Sequence, residues 1–245
     1  MKAPNNILNN IMNRDTYITG KCCLLLNDIL EKDFNKINHN TSQHRIDSFM
    51  SNLQEAIDKK IHLHLSLNNM LDLILIDLNS SQTIEDNNYF FYKIDGLDNF
   101  SRGINNYSIF TGIVINKKLF CYTCFIPQNQ LMVWYQEEEP MVYCNNVVKW
   151  SKYMTRRAHR SVKLTALSIH NYKNFLFDDA NKYFISNNFT YDFYLLMNDS
   201  IGQWVVEDIT PGQQFLLNQW KSLEIIDIVD QNNYKIITKK YQESP

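Results

Sequence analysis

The stretch Tyr92–Phe100, which reads YKIDGLDNF, decides the fold of this chain. It begins inside an apolar, aromatic run over Tyr89–Ile94, which predicts a strand. Asp95 and Gly96 come next, and this residue pair is typical of the turn that ends a strand. The stretch therefore combines a strand end, a tight turn and an acidic side chain in nine residues.

Residues 92–103 resemble the signature of the inositol monophosphatase family. In that family the stretch runs Asp-Pro-Ile-Asp-Gly-Thr-x-Asn-Phe, and a glycine follows shortly afterwards, as Gly103 does here. Glu207–Gly212, which reads EDITPG, resembles the family's second signature, Trp-Asp-Ile-Ala-Ala-Gly. The order and separation of the two signatures agree roughly with the family, and the chain is similar to its bacterial extragenic-suppressor branch. The resemblance covers most of the chain from Tyr89 onward and implies a layered α/β/α/β/α sugar-phosphatase fold.

The hydrophobic pattern independently predicts an α+β protein. Residues 1–150 are expected to form N-terminal helices and a large antiparallel sheet that carries the motif, and residues 151–245 an α/β subdomain of the same compact unit. Gly20 marks a possible break in the first helix. The predicted helices are Asn6–Glu31, Gln43–Ile61, Asn188–Met197 and Pro211–Trp220, and the predicted strands are Leu71–Leu78, Tyr89–Ile94, Ser108–Ile115, Leu119–Ile126, Leu131–Gln136, Met141–Tyr143, Val162–Ile169, Gln203–Val206, Leu223–Val229 and Tyr234–Thr238.

Composition excludes some classes of protein. Hydrophobic residues make up 44% of the 245 residues and the net charge is only -2, so the chain is not intrinsically disordered. The polar start predicts no signal peptide, and no apolar run reaches membrane-spanning length. Five cysteines are too few for a disulfide scaffold of this size, which favours a reduced, cytoplasmic protein without a membrane partner.

The resemblance implies a magnesium site for phosphate-monoester hydrolysis, in which carboxylates hold metal ions that activate water. Asp95 and Asp208 match two of the family's ligand positions. The family's Gly-Glu-Glu ligand motif is missing, and Asp77 is expected to substitute for it, with Glu85 and Asp86 as alternatives. Asp77 and Asp208 also have structural interpretations, as a strand-end carboxylate and a helix N-cap respectively.

Three substitutions weaken the expected magnesium chemistry. Tyr92 replaces a metal-binding aspartate, and a protonated phenol is a poor Mg²⁺ ligand. Lys93 replaces the proline, and Leu97 replaces the threonine that orients water. Together with the missing Glu pair, these changes predict impaired or absent catalysis and a weak or lost Mg²⁺ site.

Phosphate binding does not depend on those side chains. In the family the backbone N–H groups of the turn point at the phosphate, and the helix N-terminus adds positive potential. Gly96, Leu97 and Asp98 are therefore expected to form the phosphate cradle, with Lys93 supplying charge where a metal has been lost.

Two metal-like patterns have simpler interpretations. Cys121-x-x-Cys124 lies in a predicted strand, so its two sulfurs face opposite sides of the sheet and indicate packing. His62 and His64 have no third partner at a recognisable spacing, which makes a metal site there improbable.

One basic cluster contains Arg156, Arg157 and Arg160. Such clusters usually form solvated loops, but this one is also a candidate contact for phosphate, RNA or a protein. The resemblance adds two expectations about partners, a homodimer and contact with the transcription machinery. Three functions follow from the sequence: a catalytically impaired phosphatase-like protein that binds a phosphorylated small molecule or a partner, an active Mg²⁺-dependent phosphatase of inositol or sugar phosphates, and an interaction module.

Overall fold

The computed structural model describes residues 12–34, 36, 41–78, 88–101, 104, 106–138, 141–145, 147–151, 164–168, 182–185, 188–207, 209–231 and 234–241. Two N-terminal helices are followed by a seven-stranded sheet, and a five-stranded sheet with two further helices completes the chain. Within these residues, no helix is both long and apolar enough to cross a membrane.

Helix α1 is Arg14–Phe34 and helix α2 is Gln43–Leu67. α1 continues through Gly20, so the predicted break there is wrong. Gly20 is buried where α1 contacts the first sheet, and the adjacent Thr19 carbonyl accepts a 2.9 Å hydrogen bond from the Thr111 hydroxyl. The glycine is therefore accommodated inside a continuous helix and does not mark a turn. α2 extends beyond its predicted end because Leu65 continues its buried stripe.

Seven strands form the first sheet in the order β1-β2-β3-β4-β5-β6-β7. β1 is parallel to β2, and the others form an antiparallel meander. The predicted strands Ser108–Ile115 and Leu119–Ile126 pair as a hairpin, in which Asn116 and Lys117 form a two-residue turn with φ of 51° and 67°. The strands are Ile74–Asp77 (β1), Tyr89–Asp95 (β2), Ser108–Ile115 (β3), Lys118–Ile126 (β4), Leu131–Gln136 (β5), Met141–Cys144 (β6) and Val147–Ser151 (β7). A five-residue helix, α3 (Leu97–Ser101), follows β2, and a short 3-10 helix (Pro127–Asn129) follows β4.

The second sheet has the order β11-β12-β10-β8-β9 and is mixed. The predicted alternation of strands and helices in this half is confirmed, whereas β9 here and β7 in the first sheet were not predicted. The elements are Leu164–Ser168 (β8), Lys182–Ile185 (β9), Phe189–Met197 (α4), Gln203–Glu207 (β10), Pro211–Ser222 (α5), Ile226–Gln231 (β11) and Tyr234–Lys239 (β12).

Both helices of the second half are capped at their N-termini. Asn188 caps α4, since its side chain accepts a 2.9 Å hydrogen bond from Tyr191 N. Thr210 caps α5 and forms a capping box with Gln213. The interpretation of Asp208 as an N-cap is therefore wrong.

Alternating residues of β2 divide the core between the two faces of the first sheet. Phe90 and Tyr92 belong to the cluster under α1 and α2, whereas Tyr89 and Phe91 belong to the cluster shared with α4, α5 and the second sheet. Cys121 and Cys124 likewise lie in different clusters, as predicted. The order of helices, sheet, helices and second sheet agrees with the predicted layered α+β fold.

Candidate functional site

The turn between β2 and α3 adopts the strand–turn–helix geometry that the sequence predicts. Gly96 has a φ of +81°, and a Cβ there would lie 2.3 Å from the Asn106 carbonyl oxygen. Only glycine avoids both the backbone strain and this contact. The Gly96 carbonyl then accepts a 3.0 Å hydrogen bond from Phe100 N, which closes the first turn of α3.

Asp95 is buried at the end of β2, and both of its carboxylate oxygens have partners. Lys93 Nζ donates to Oδ1 at 2.7 Å. Thr190, in the first turn of α4, donates its backbone N–H to Oδ2 at 3.0 Å, and its hydroxyl lies 3.4 Å from the same oxygen. We call Lys93, Asp95 and Thr190 the lysine cluster. It connects the end of β2 to the N-terminus of α4.

The Lys93 side chain lies inside the protein, between β2 and α4. Its residue is only 2% exposed, and its ammonium lies 5.4 Å from the centre of the Phe189 ring. Burial raises the pKa of the nearby Cys124 thiol, Asp95 raises it further, and Lys93 lowers it. The Cys124 thiol and the Phe189 ring therefore lie near an ion pair whose side chains are only 2% and 12% exposed.

A second polar group lies on the opposite face of β2. The Tyr92 hydroxyl donates a 2.6 Å hydrogen bond to Asp58 Oδ1 and accepts one from Gln54 Nε2. Gln54 Nε2 also makes a long, 3.5 Å contact with Asp77 Oδ2. We call Tyr92, Asp58, Gln54 and Asp77 the tyrosine cluster.

The tyrosine cluster keeps the Tyr92 phenol protonated. Burial raises its pKa well above the ordinary value, and the hydrogen bond to Asp58 and the charges of Asp77 and Asp58 raise it further. A phenolate, the only form of tyrosine with a useful affinity for a hard cation, is therefore disfavoured at this position.

The ends of several elements converge around these two clusters. Strands β1 and β2 are parallel, with Asp77 opposite Tyr92, so their carboxyl ends lie at the same edge of the sheet. The first turn of α5 reaches this edge, because a Cβ on Gly212 would lie 2.3 Å from the Leu78 carbonyl oxygen. The Ser108 hydroxyl donates to Asn188 Oδ1 at 3.0 Å and ties β3 to the start of α4.

Asp95 and Asp77, the two predicted metal ligands that the structure describes, take part in different polar clusters. Asp95 contacts α4 on one face of the first sheet, and Asp77 belongs to the tyrosine cluster on the other face. In the part of the chain that the structure describes, no three histidine, cysteine, aspartate or glutamate side chains are grouped to hold a metal. The described residues therefore do not fit a Mg²⁺ site: Asp95 is neutralised by an ammonium, and Mg²⁺ requires an octahedral set of oxygen ligands.

Several predicted residues lie outside the described part of the chain. These are Asp208, Glu85, Asp86, Gly103, the side chain of Asp98, and the basic cluster of Arg156, Arg157 and Arg160. His62 is exposed on α2, and His64 Nε2 lies 2.9 Å from the Ile18 carbonyl oxygen. Neither histidine takes part in the two clusters.

Sequence reasoning missed four residues of the site: Asp58, Gln54, Thr190 and Asn188 as a partner of Ser108. The contact between Lys93 and Asp95 did have a signal, because residues two apart in a strand share a face. The other contacts join elements far apart in the sequence, such as Thr190 and Asp95, and no local pattern marks them.

Several solved structures that resemble this chain are named as inositol monophosphatases or extragenic suppressor proteins. An inositol monophosphatase of Thermotoga maritima superposes with a TM-score of 0.63 at 14% identity, covering 89% of each chain. The extragenic suppressor protein SuhB of Bartonella henselae gives 0.63 at 12% identity, covering 93% of this chain and 94% of that one. A dual-specific inositol monophosphatase/NADP phosphatase, solved with D-inositol-1-phosphate, gives 0.67 at 12% identity, with 91% and 88% covered.

Sequence comparison gives no match, either to a protein-family model or to a curated protein. The structural similarity nevertheless extends over nine-tenths of the chain, and it agrees with the resemblance that the two signatures carry. This chain therefore has the inositol monophosphatase fold.

Proposed function

We propose that this chain is an inositol monophosphatase-family protein that has lost Mg²⁺-dependent phosphatase activity and still binds a phosphate-bearing ligand. The observation that carries the proposal is the buried ion pair between Lys93 and Asp95, whose atoms lie 2.7 Å apart. Within the first signature, Asp95 is the one described residue that is still the aspartate expected at a metal-ligand position of the family. Its negative charge is already compensated by the Lys93 ammonium.

Two further observations support the loss of catalysis. Tyr92 stands at a ligand position, and its protonated hydroxyl is used in a hydrogen bond to Asp58. Leu97, which replaces the water-orienting threonine, packs its half-buried side chain against the core cluster under α1 and α2. A phenol and an aliphatic side chain provide neither a metal ligand nor a group to orient water.

The turn at the start of α3 supports ligand binding. The first N–H groups of a helix have no partner within the helix, and those of Leu97 and Asp98 occupy these positions. These donors belong to the backbone, so side-chain substitutions do not remove them. One similar structure contains D-inositol-1-phosphate and another contains 2′-AMP, which suggests a phosphate monoester of a polyol or nucleotide as the ligand.

The test combines turnover and binding on the same protein. Phosphate release is measured with inositol, sugar and nucleotide phosphates in the presence of Mg²⁺, beside an Asp95→Asn control. Calorimetric titration with the same esters follows, with and without a chelator. We expect no release, and binding that persists when divalent cations are removed.

Either half of the proposal can fail separately. Phosphate release that disappears in Asp95→Asn would mean an active phosphatase with a metal site completed by residues outside the two clusters. An absence of both turnover and ester binding in folded protein would leave the third function, an interaction module, as the better interpretation.

A further inference from the structure

We infer that the Lys93 ammonium occupies the electrostatic place of a metal ion at Asp95, so that the chain carries its own counter-cation and binds no divalent cation there. The inference deepens the proposed function and rests on it, because the fold relationship identifies Asp95 as a ligand position. It concerns the specificity of the site for cations rather than the loss of turnover.

Charge balance is the first argument. A buried carboxylate needs a compensating positive charge, which either a bound cation or a basic side chain can provide. Lys93 Nζ provides it at 2.7 Å from Asp95 Oδ1. A second cation at this distance would be repelled by the ammonium in surroundings where water does not screen the repulsion, because the Lys93 side chain is only 2% exposed.

Saturation of Asp95 is the second argument. Oδ2 accepts the Thr190 backbone N–H at 3.0 Å, so hydrogen-bond donors occupy both oxygens. A cation at Asp95 would have to displace the ammonium. The displaced ammonium would then lie unpaired beside the Phe189 ring, and burying an unpaired charge is costly.

The position of Lys93 in β2 is the third argument. Residues two apart in a strand share a face, so a basic residue at position 93 points to the same side as Asp95. The proline expected by the family resemblance has no such group. The lysine at position 93 therefore places an internal cation within reach of Asp95.

The exchange is tested by titrating the full chain with Mg²⁺ and Mn²⁺ in the absence of any phosphate ester. The readouts are the thermal midpoint of unfolding and calorimetric heat. The variants are Lys93→Met and Lys93→Gln, each alone and with Asp95→Asn. Gln keeps a hydrogen-bond donor for Asp95, so it provides a second variant if Met prevents folding. Lys239→Met is the matched control, because Lys239 is also buried and paired, with Asp199 at 3.0 Å.

We expect the unmodified chain and Lys239→Met to show no shift of the midpoint with either cation. Lys93→Met or Lys93→Gln should gain a shift of roughly 5 °C at about 10 mM Mg²⁺, since a cation that binds only the folded state stabilises it. Adding Asp95→Asn should remove this gain.

Two results would overturn the inference. One is cation binding by the unmodified chain that Asp95→Asn removes. The other is a cation response that appears in neither Lys93 variant, which would make the ion pair a structural contact unrelated to a metal site. Because no phosphate ester is present, both results are independent of whether the chain binds or hydrolyses one.

Discussion

The lysine cluster and the tyrosine cluster lie on opposite faces of the same strand, within four residues of each other. They differ in how deeply their polar groups are buried and in the kind of contact that holds them. The lysine cluster contains an ion pair with side chains only 2% and 12% exposed. The tyrosine cluster contains a neutral phenol at its centre, with half-buried Gln54 and Asp58 around it. The first cluster pairs two charges inside the core. In the second, one phenol hydroxyl forms hydrogen bonds with side chains that water still reaches.

The difference follows from burial. Two paired charges in a core are held in place mainly because separating them leaves an uncompensated charge, so each partner depends on the other. Half-buried hydrogen bonds compete with water, and each contributes modestly. Substitutions in the lysine cluster should therefore have larger effects, and the effects of its two partners should not add.

The largest effect is expected for Lys93→Met. It leaves Asp95 buried without a cation and should lower the free energy of unfolding by about 3–5 kcal/mol, measured by urea denaturation. Lys240→Met is the control, since Lys240 and Glu224 form an exposed pair at 3.2 Å and its loss should cost below about 1 kcal/mol. Equal costs for the two variants would contradict the contrast between a buried and an exposed pair.

A double variant tests whether the two charges depend on each other. Lys93→Met with Asp95→Asn removes both charges and should recover most of the stability lost by Lys93→Met alone, giving a coupling energy of more than about 3 kcal/mol in a double-mutant cycle. Additive losses would show that the side chains are stabilised by separate contacts.

Gly212→Ala tests the packing of the first turn of α5 against the sheet edge where β1 and β2 end. Its Cβ would meet the Leu78 carbonyl oxygen at 2.3 Å and the Leu78 Cβ at 2.7 Å, so α5 must move away from the end of β1. We expect a loss of about 1–3 kcal/mol. Asn218→Ala, on the exposed side of the same helix, should change stability by less than about 0.5 kcal/mol. Similar small effects for both variants would mean that α5 does not press against β1.

Tyr92→Phe tests the tyrosine cluster directly. It removes the hydrogen bond to Asp58 and should cost about 1 kcal/mol, because water can replace the hydroxyl at the half-buried partners. Tyr89→Phe is the matched control, since among the described residues the buried Tyr89 hydroxyl has no hydrogen-bond partner. The control should be neutral or slightly stabilising, and a larger cost there than for Tyr92→Phe would contradict the role given to the Asp58 contact.

The smallest effect is a pH dependence outside both clusters. Burial lowers the pKa of His64, and the charges of Lys60 and Lys21 lower it further, although the hydrogen bond with Ile18 opposes this. The unfolded chain therefore binds more protons than the folded chain just below the ordinary histidine pKa, and stability should fall as the pH drops below about 6.5. His64→Gln should reduce this slope. The slope is measured as the change of the urea midpoint between neutral and mildly acid pH. The same slope in His64→Gln and in the unmodified chain would contradict the assignment of this pH dependence to His64.

Local sequence rules account for much of this fold. The hairpin at Asn116 and Lys117, the helix start after Asn188 and the turn at Gly96 each follow from a backbone requirement that few residues meet. The start of α5 was predicted, but its N-cap is Thr210 rather than Asp208. Thr210 directly precedes the helix, and its hydroxyl accepts the hydrogen bond from the Gln213 N–H. Gly20 shows the opposite error, since a glycine that local rules interpret as a break is buried in a continuous helix.

The candidate site was only partly predictable for the same physical reason. The sequence by itself determined that β2 ends in an aspartate and a glycine turn, and that Lys93 and Asp95 share one face, because strand periodicity and backbone sterics act between near neighbours. Only the tertiary structure decided that Thr190 closes one side of Asp95 while Asp58 and Gln54 hold Tyr92 on the opposite face. Those contacts depend on how distant elements pack and exclude water, and burial is a property of the assembled fold rather than of any local stretch.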